Sequence, residues 1–209
     1  MKFLKVAALL LAVSTVSLAQ SFEGKIIYQN LYKSKTPNVS DAQFNEMMGT
    51  KQEYFIKGAE YMTSTNGTFF QWQIYSSKTT LLYSKMSNST SVFTNDAATN
   101  PDEIVKSEVN KGAATILGKK CDELILTCKN GVQKYYYSSE PKIDASLYAK
   151  HKFGNWSDVL AKTNAMPLKI VIDNQQFSVE SVAVEVTPFK VSDKIFELPA
   201  GSKIEKSPY

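Results

Sequence analysis

Short runs of aromatic and β-branched residues, separated by polar turn signals, constrain the fold of this chain more than any other feature. The turn signals stand at Lys57-Gly58, Asn66-Gly67, Ser87-Asn88-Ser89 and Lys129-Asn130-Gly131. Such spacing is typical of an antiparallel meander, in which consecutive strands pair through tight turns. Asn66-Gly67 and Asn130-Gly131 predict two-residue type I′ hairpins, because that turn needs positive φ at both central positions.

Twelve strands are predicted between these signals. They lie near residues 22–33, 52–57, 60–64, 68–75, 79–86, 90–94, 103–109, 114–128, 132–138, 167–173, 176–188 and 194–197. Several alternate between apolar and polar residues, a pattern that puts one face on a core and the other in water. The sets expected to share a face are Phe70 with Trp72 and Ile74, Leu124 with Leu126 and Cys128, and Val182 with Val184 and Val186.

Only two helical regions are predicted. Ser40-Asp41-Ala42-Gln43 resembles a capping box, and Gly49 provides a stop. A second, broken region covers 144–151 and 157–163, and Pro167 ends it. A long twisted sheet must curl to bury its apolar face. The fold class is therefore mainly β: a curved antiparallel sheet, or half-barrel, with a few short helices covering one face.

The N-terminus has the layout of a secretory signal peptide. Lys2 and Lys5 precede an apolar run over 6–16, and Ser17-Leu18-Ala19 supplies a small-x-small cleavage site. The run is shorter than the roughly 20 residues of a spanning helix, and no later segment is apolar enough, so no transmembrane segment is expected. Residues 1–19 are predicted to be the signal and 20–209 a single β-rich domain, exported to the periplasm or the extracellular space.

Charge argues against a nucleic-acid partner. The formal net charge is +4, and all 24 basic residues are lysine. Arginine, which reads phosphates and guanine edges through two parallel hydrogen bonds, is absent. An AT-rich coding genome, which favours lysine codons, explains the same bias.

The two cysteines are expected to be free thiols. Cys121 and Cys128 lie in one predicted strand, which would separate them by roughly 23 Å. A disulfide needs Cα atoms within about 7 Å of each other.

Residues that carry chemistry are scarce. His151 is the only histidine, and no metal-binding spacing, nucleophile elbow or phosphate loop is present. A surface histidine between Lys150 and Lys152 is the simpler interpretation, although a pair of His151 with Cys121 or Cys128 stays open for a hydrolase. The prediction is a protein that is not an enzyme, with no catalytic residue, metal site or cofactor.

Several segments resemble a domain-of-unknown-function family of exported bacterial proteins (DUF4412-like). That family is distantly similar in shape to the lipoprotein-carrier (LolA-like) half-barrels. The segments are Phe22-Glu23-Gly24-Lys25-Ile26-Ile27-Tyr28, Tyr54-Phe55-Ile56-Lys57-Gly58, Ile116-Leu117-Gly118-Lys119-Lys120-Cys121, Met166-Pro167-Leu168-Lys169-Ile170 and Phe196-Glu197-Leu198-Pro199-Ala200-Gly201. The resemblance implies a curved antiparallel sheet with a small helical cover, and it transfers no activity. Ala165-Met166-Pro167 stands where the family has Gly-x-Pro, and Cys128 has no counterpart.

Two functions fit these features. The preferred one is a non-enzymatic periplasmic or secreted binding module for an apolar or amphipathic, lipid-like ligand on the concave sheet face. Its expected lining residues are Ile26, Tyr28, Phe70, Trp72 and Ile74. The alternative is a structural or interaction protein of the cell envelope whose sheet face is fully packed, because aromatic rings pave a core as readily as a site. No protein partner can be named from the sequence.

Overall fold

Within residues 21–208, twelve strands form one open sheet. The structure, a computed structural model, describes residues 21–208, so the predicted signal peptide over 1–19 lies outside the described residues. Strands make up 51% and helices 14% of it, which confirms the mainly β prediction. Among residues 21–208, no helix has the length and apolar character needed to cross a membrane.

The elements follow the predicted order closely. The strands are β1 Gly24–Ser34, β2 Lys51–Lys57, β3 Glu60–Thr65, β4 Phe70–Ser76, β5 Leu81–Met86, β6 Val92–Asp96, β7 Ile104–Ile116, β8 Lys119–Cys128, β9 Gly131–Tyr137, β10 Lys169–Asn174, β11 Phe177–Pro188 and β12 Ile204–Lys206. The helices are α1 Asp41–Met48 and α2 Trp156–Thr163, with short 3-10 helices at Ala145–Tyr148, Phe153–Asn155 and Asp193–Phe196. The sheet order is β12-β6-β5-β4-β3-β2-β1-β11-β10-β9-β8-β7, and every neighbouring pair is antiparallel except β12–β6.

Two strand predictions are wrong, and one strand was missed. The predicted strand 114–128 is broken by a turn at Leu117-Gly118, where β7 ends and β8 begins. Residues 194–197 fall in a 3-10 helix rather than a strand, and β12 was not predicted.

Hairpins join β3 to β4 and β8 to β9 at the two predicted turn signals, but neither turn has the predicted type I′ geometry, which occurs between β7 and β8 instead. Leu117 and Gly118 have φ of 49° and 73°, the positive values that this turn requires. At Asn66-Gly67 the loop is longer, and a Cβ on Gly67 would lie 2.5 Å from the carbonyl oxygen of Met47. Gly131 is already paired with Cys128 across the β8–β9 turn. These two glycines therefore permit close backbone approach or pairing rather than the predicted turn geometry.

Cross-strand pairing defines an inner face of the sheet. Residues directly opposite each other in an antiparallel pair point to the same side. Ile26 lies opposite Tyr54, Ile56 opposite Tyr61, and Tyr61 opposite Tyr75. We call the side that carries these residues the inner face and the other side the outer face.

Bulges break the alternation in two places. In β11 a bulge opposite Ile27 and Tyr28 leaves Val186 on the inner face, opposite Ile26, and puts Ala183 there opposite Tyr28. Val182 therefore points outward, and the predicted shared face of Val182, Val184 and Val186 is wrong. Leu124, Leu126 and Cys128 do share the inner face, as predicted.

Both helices cover the inner face. The capping box of α1 forms as predicted, with the backbone N–H of Gln43 donating to the Ser40 hydroxyl over 3.2 Å. Phe44 of this helix packs on Tyr32 and Phe177, at ring separations of 5.5 and 5.4 Å. Helix α2 belongs to the long connection between β9 and β10, residues 138–168, which we call the lid segment. Its Val159 is fully buried in one cluster with Leu124 and Leu126.

The two cysteines lie on β8 as buried free thiols, in agreement with the strand geometry. Cys121 lies opposite Ala114 and Cys128 opposite Gly131.

Candidate functional site

A cavity of about 230 Å³ lies between the inner face and the lid segment. Aromatic rings dominate its wall: Tyr28, Tyr54, Tyr61 and Phe70 from the sheet, and Phe153 and Trp156 from the lid segment. Its polar side chains are Gln52, Thr63, Gln73 and His151. None of the described residues that line it is Asp, Glu or Lys. The wall therefore offers apolar contact and a few uncharged hydrogen-bonding groups.

Two of the five predicted ligand-lining residues border this cavity. They are Tyr28 and Phe70. Ile26 lies on the same face opposite Tyr54, but it is fully buried in the core and does not reach the cavity. The period-2 alternation of β1 was enough to place Tyr28.

Trp72 and Ile74 point to the outer face, so their predicted place beside Phe70 is wrong. A bulge lies between Phe70 and Trp72 in the pairing of β4 with β5. Gln73 is a cavity residue, and its neighbours in the strand, Trp72 and Ile74, must point the other way. The extra residue at the bulge lets Phe70 return to the inner face.

Ile74 is nevertheless buried, because the chain after β11 covers the outer face there. Lys57, which points outward next to the inward Ile56, forms an ion pair of 2.8 Å with Asp193. The 3-10 helix that contains Asp193 contacts β3 and β4. Ile74 is a core residue of this second layer rather than a ligand contact.

His151 is buried in the cavity wall, not exposed between its lysine neighbours as predicted. Its Nε2 lies 2.8 Å from the Tyr61 hydroxyl. Its ring packs against Tyr61 and Tyr75, with centroid separations of 5.6 and 4.3 Å. Burial lowers the pKa of His151 to about 4, so the ring is neutral at pH 7.

Backbone hydrogen bonds hold the lid segment against the sheet near His151. The N–H groups of Lys152 and Phe153 both donate to the carbonyl of Ala97, over 2.7 and 3.0 Å. The N–H of Ser157 donates to the carbonyl of His151 over 2.7 Å. These bonds turn the chain sharply, so that His151 and Trp156 face the same cavity.

Two polar atoms of cavity residues have no hydrogen-bond partner among the described residues. They are Nδ1 of His151 and Nε1 of Trp156, both buried. The phenol of Tyr28, in contrast, donates to the carbonyl of Pro167 over 2.7 Å. Unpaired buried polar groups are uncommon in folded proteins. Among the described residues the third such atom is Oδ1 of Asn30, which does not line the cavity, so two of the three belong to cavity residues.

None of the described residues at the site is an activated nucleophile. Burial raises the pKa of Tyr28, Tyr54 and Tyr61, so these phenols stay protonated. The cysteines contact other groups: Cys121 Sγ lies 3.4 Å from the carbonyl of Lys119, and Cys128 Sγ lies 3.4 Å from the amide of Asn155. Burial raises the pKa of Cys128 to about 11. The open pairing of either cysteine with His151 therefore finds no support in the geometry.

No metal-ligating cluster of three His, Cys, Asp or Glu side chains occurs within residues 21–208. A larger depression of about 400 Å³ near Phe22 and Phe189 is lined by charged surface residues, among them Glu140 and Lys190. Its aromatic lining residues are Phe22 and Phe189, and none of its described lining residues carries an unpaired buried polar atom.

The chain matches no protein family and no curated protein by sequence. Two solved structures of PNGF-II, in the C2 and P21 space groups, each share 14% sequence identity with it, with TM-scores of 0.46 and 0.47. The alignments cover 89% of this chain but 31% and 32% of the PNGF-II chains, so this chain spans about a third of the solved chains that it matches. A likeness of this size carries no conclusion about activity, and the resemblance to the DUF4412-like family stays a prediction.

Proposed function

We propose that this protein is an exported, non-enzymatic binding protein that holds an apolar or amphipathic ligand in the inner-face cavity. The observation that carries the proposal is the uncharged, aromatic-lined cavity between the sheet and the lid segment. Ligand sites in soluble proteins are typically concave and mostly apolar, with a few polar groups that fix orientation. The N-terminal sequence pattern supports export.

The volume sets the scale of the ligand. An apolar cavity of about 150 Å³ is enough to hold benzene in another protein. The cavity here, at about 230 Å³, suits a substituted ring or one segment of an alkyl chain, and is too small for both tails of a diacyl lipid. Burying six to ten methylene groups contributes about 5–8 kcal/mol before the costs of binding. Without those costs, that range corresponds to dissociation constants from about 200 μM down to about 1 μM, which are the tightest values expected.

A neutral fluorescent probe tests this proposal. N-phenyl-1-naphthylamine is dark in water and bright in apolar sites, so its titration into the purified protein reports occupancy of the cavity. The wild-type protein should bind it with a micromolar dissociation constant. Ile170→Trp, which fills the cavity from β10, should weaken binding at least tenfold.

The matched control is Val171→Trp, the next residue of the same strand, which points to the outer face. It should bind the probe within threefold of wild type, and thermal unfolding of both variants checks that they fold. Equal weakening by the two substitutions, or a wild-type protein that leaves the probe dark, contradicts the proposal.

The alternative function is a structural or interaction protein of the cell envelope with a packed inner face. The observation in its favour is the tyrosine cluster, since Tyr28, Tyr75 and Tyr148 are each about 1% exposed and fill much of that face. Native mass spectrometry that finds the purified protein without any bound small molecule, together with a dark probe, would favour this alternative.

A further inference from the structure

We infer that the ligand is uncharged where it enters the cavity and presents a hydrogen-bond acceptor to the indole N–H of Trp156, with the ring of His151 as its second polar contact. This inference rests on the proposed binding function and narrows its ligand class. It excludes ionised fatty acids from entering headgroup first, and it favours ketones, esters, amides and ethers attached to a ring or an alkyl chain.

The indole of Trp156 supplies the clearest signal. Its Nε1 is buried without a hydrogen-bond partner among residues 21–208. The ring is held between Tyr54 and Tyr135, at centroid separations of 6.4 Å to each. The Tyr135 hydroxyl is not the partner of this N–H group, because it donates its own hydrogen bond to Gln133 over 3.0 Å. An indole N–H can only donate, so the missing partner is an acceptor.

His151, which lines the same cavity, has a second unpaired atom. Its Nε2 is taken by the Tyr61 hydroxyl, and its Nδ1 is buried without a partner in the described part of the chain. When Tyr61 donates to Nε2, Nδ1 carries the ring proton and is a donor. An oxygen with two lone pairs is the group that suits donors of this kind, as in a carbonyl or an ether.

The lack of charge in the wall decides against an ionised ligand group. None of the described residues that line the cavity bears a full charge at pH 7. A carboxylate or ammonium group moved into such a site would lose its hydration without gaining a counter-charge. A neutral oxygen loses much less and can accept a hydrogen bond from an unpaired donor.

Three small probes of similar size separate these possibilities. Ethylbenzene has no acceptor, acetophenone adds a carbonyl oxygen, and benzoate is ionised at pH 7. The measurements use Trp72→Phe, which removes the outer-face indole and leaves Trp156 as the only one. Titrations followed by ¹⁵N–¹H correlation spectra then report the dissociation constant and the Trp156 Nε1–H resonance together.

Acetophenone is expected to bind about tenfold more tightly than ethylbenzene, the gain typical of one satisfied hydrogen bond. It should also move the Nε1–H resonance downfield, whereas ethylbenzene should not. Benzoate should bind at least tenfold more weakly than acetophenone. In the double variant Trp72→Phe, Trp156→Phe, the donor is lost while a ring remains, so acetophenone should lose its advantage over ethylbenzene.

The outcomes distinguish this inference from the binding function itself. Equal binding of ethylbenzene and acetophenone to Trp72→Phe overturns the inference and leaves the binding function standing, with water as the partner of the buried donors. Benzoate binding as tightly as acetophenone overturns the uncharged ligand class. If none of the three probes binds, the proposed binding function is contradicted, and the inference about the ligand is contradicted with it. The comparison on Trp72→Phe is decisive even if the double variant does not fold.

Discussion

At the scale of single residues, the environment of His151 is what sequence reasoning missed. Its neighbours Lys150 and Lys152 are exposed, and a surface position was the natural expectation from them. The histidine is instead 2% exposed, because the 3-10 turn before it points the ring at Tyr61, 90 residues away in sequence. No local sequence pattern predicts such a contact, because it depends on how the lid segment returns to the sheet.

Tyr61→Phe tests the buried pair. The change removes the hydroxyl that partners His151 Nε2 and leaves the imidazole without a side-chain hydrogen bond. We expect the free energy of unfolding in urea to fall by about 1–3 kcal/mol, the cost of an unsatisfied buried polar group. Tyr83→Phe removes an outer-face hydroxyl whose bond to Thr79 is exposed, and it should change stability by less than about 0.5 kcal/mol. Similar losses for both variants would contradict a special role for the pair.

The low pKa of His151 makes stability depend on pH. The imidazole takes up its proton near pH 6.5 in the unfolded chain and only near pH 4 in the folded protein. Between these values the unfolded chain binds more protons, so stability falls as the pH drops from 6.5 towards 4. This shift in pKa corresponds to about 3 kcal/mol in the free energy of unfolding. Tyr61 and Tyr75, whose rings contact the imidazole, stay neutral over this range.

His151→Phe isolates that contribution from the carboxylates that also titrate. Urea unfolding of both proteins at several values between pH 4 and pH 7 gives the difference in stability at each. The wild type should lose stability relative to the variant by up to about 3 kcal/mol on going from pH 7 to pH 4. A difference that stays constant over this range would show that the histidine does not titrate as its burial demands.

At the scale of elements, the sequence identified most strands and the capping box of α1, because these signals are local. The failures arise where tertiary contact decides. The segment 194–197 has apolar and aromatic residues suited to a strand, but no neighbouring strand pairs with it, and it forms a 3-10 turn over the outer face instead. The bulge between Phe70 and Trp72 has no marker residue, so simple alternation assigned Trp72 to the wrong face.

The β7–β8 hairpin gives a prediction at this scale. Leu117 has φ of 49°, a conformation that costs an ordinary side chain about 1 kcal/mol or more and that Asn adopts readily. The side chain is 45% exposed, so little packing is lost on replacement. Leu117→Asn should therefore stabilise the protein by about 1 kcal/mol in urea unfolding. Leu117→Ala keeps the Cβ and should give no such gain. An equal gain in both variants would show that the effect comes from removing the exposed leucine side chain and not from the backbone conformation.

At the scale of the whole molecule, the apolar faces of the strands predicted a curled sheet with a covered side, and the fold has that form. The cavity itself could be predicted only in part. Tyr28 and Phe70 were expected to line it, but His151 and Trp156 reach it from the lid segment. A sequence shows which face of a strand is apolar; it does not show how completely a distant segment fills that face. The cavity is the part of the inner face that the lid segment leaves unfilled.

The central claim is that a ligand binds on the inner face between the sheet and the lid segment. Nuclear Overhauser effects between bound N-phenyl-1-naphthylamine and methyl groups of the protein test it most directly. The account predicts contacts from the probe to the methyls of Leu82 and Ile170, which line the cavity, and none to Ile74 on the outer face. Contacts confined to outer-face methyls such as those of Val171, or no contacts at saturating probe, would contradict it.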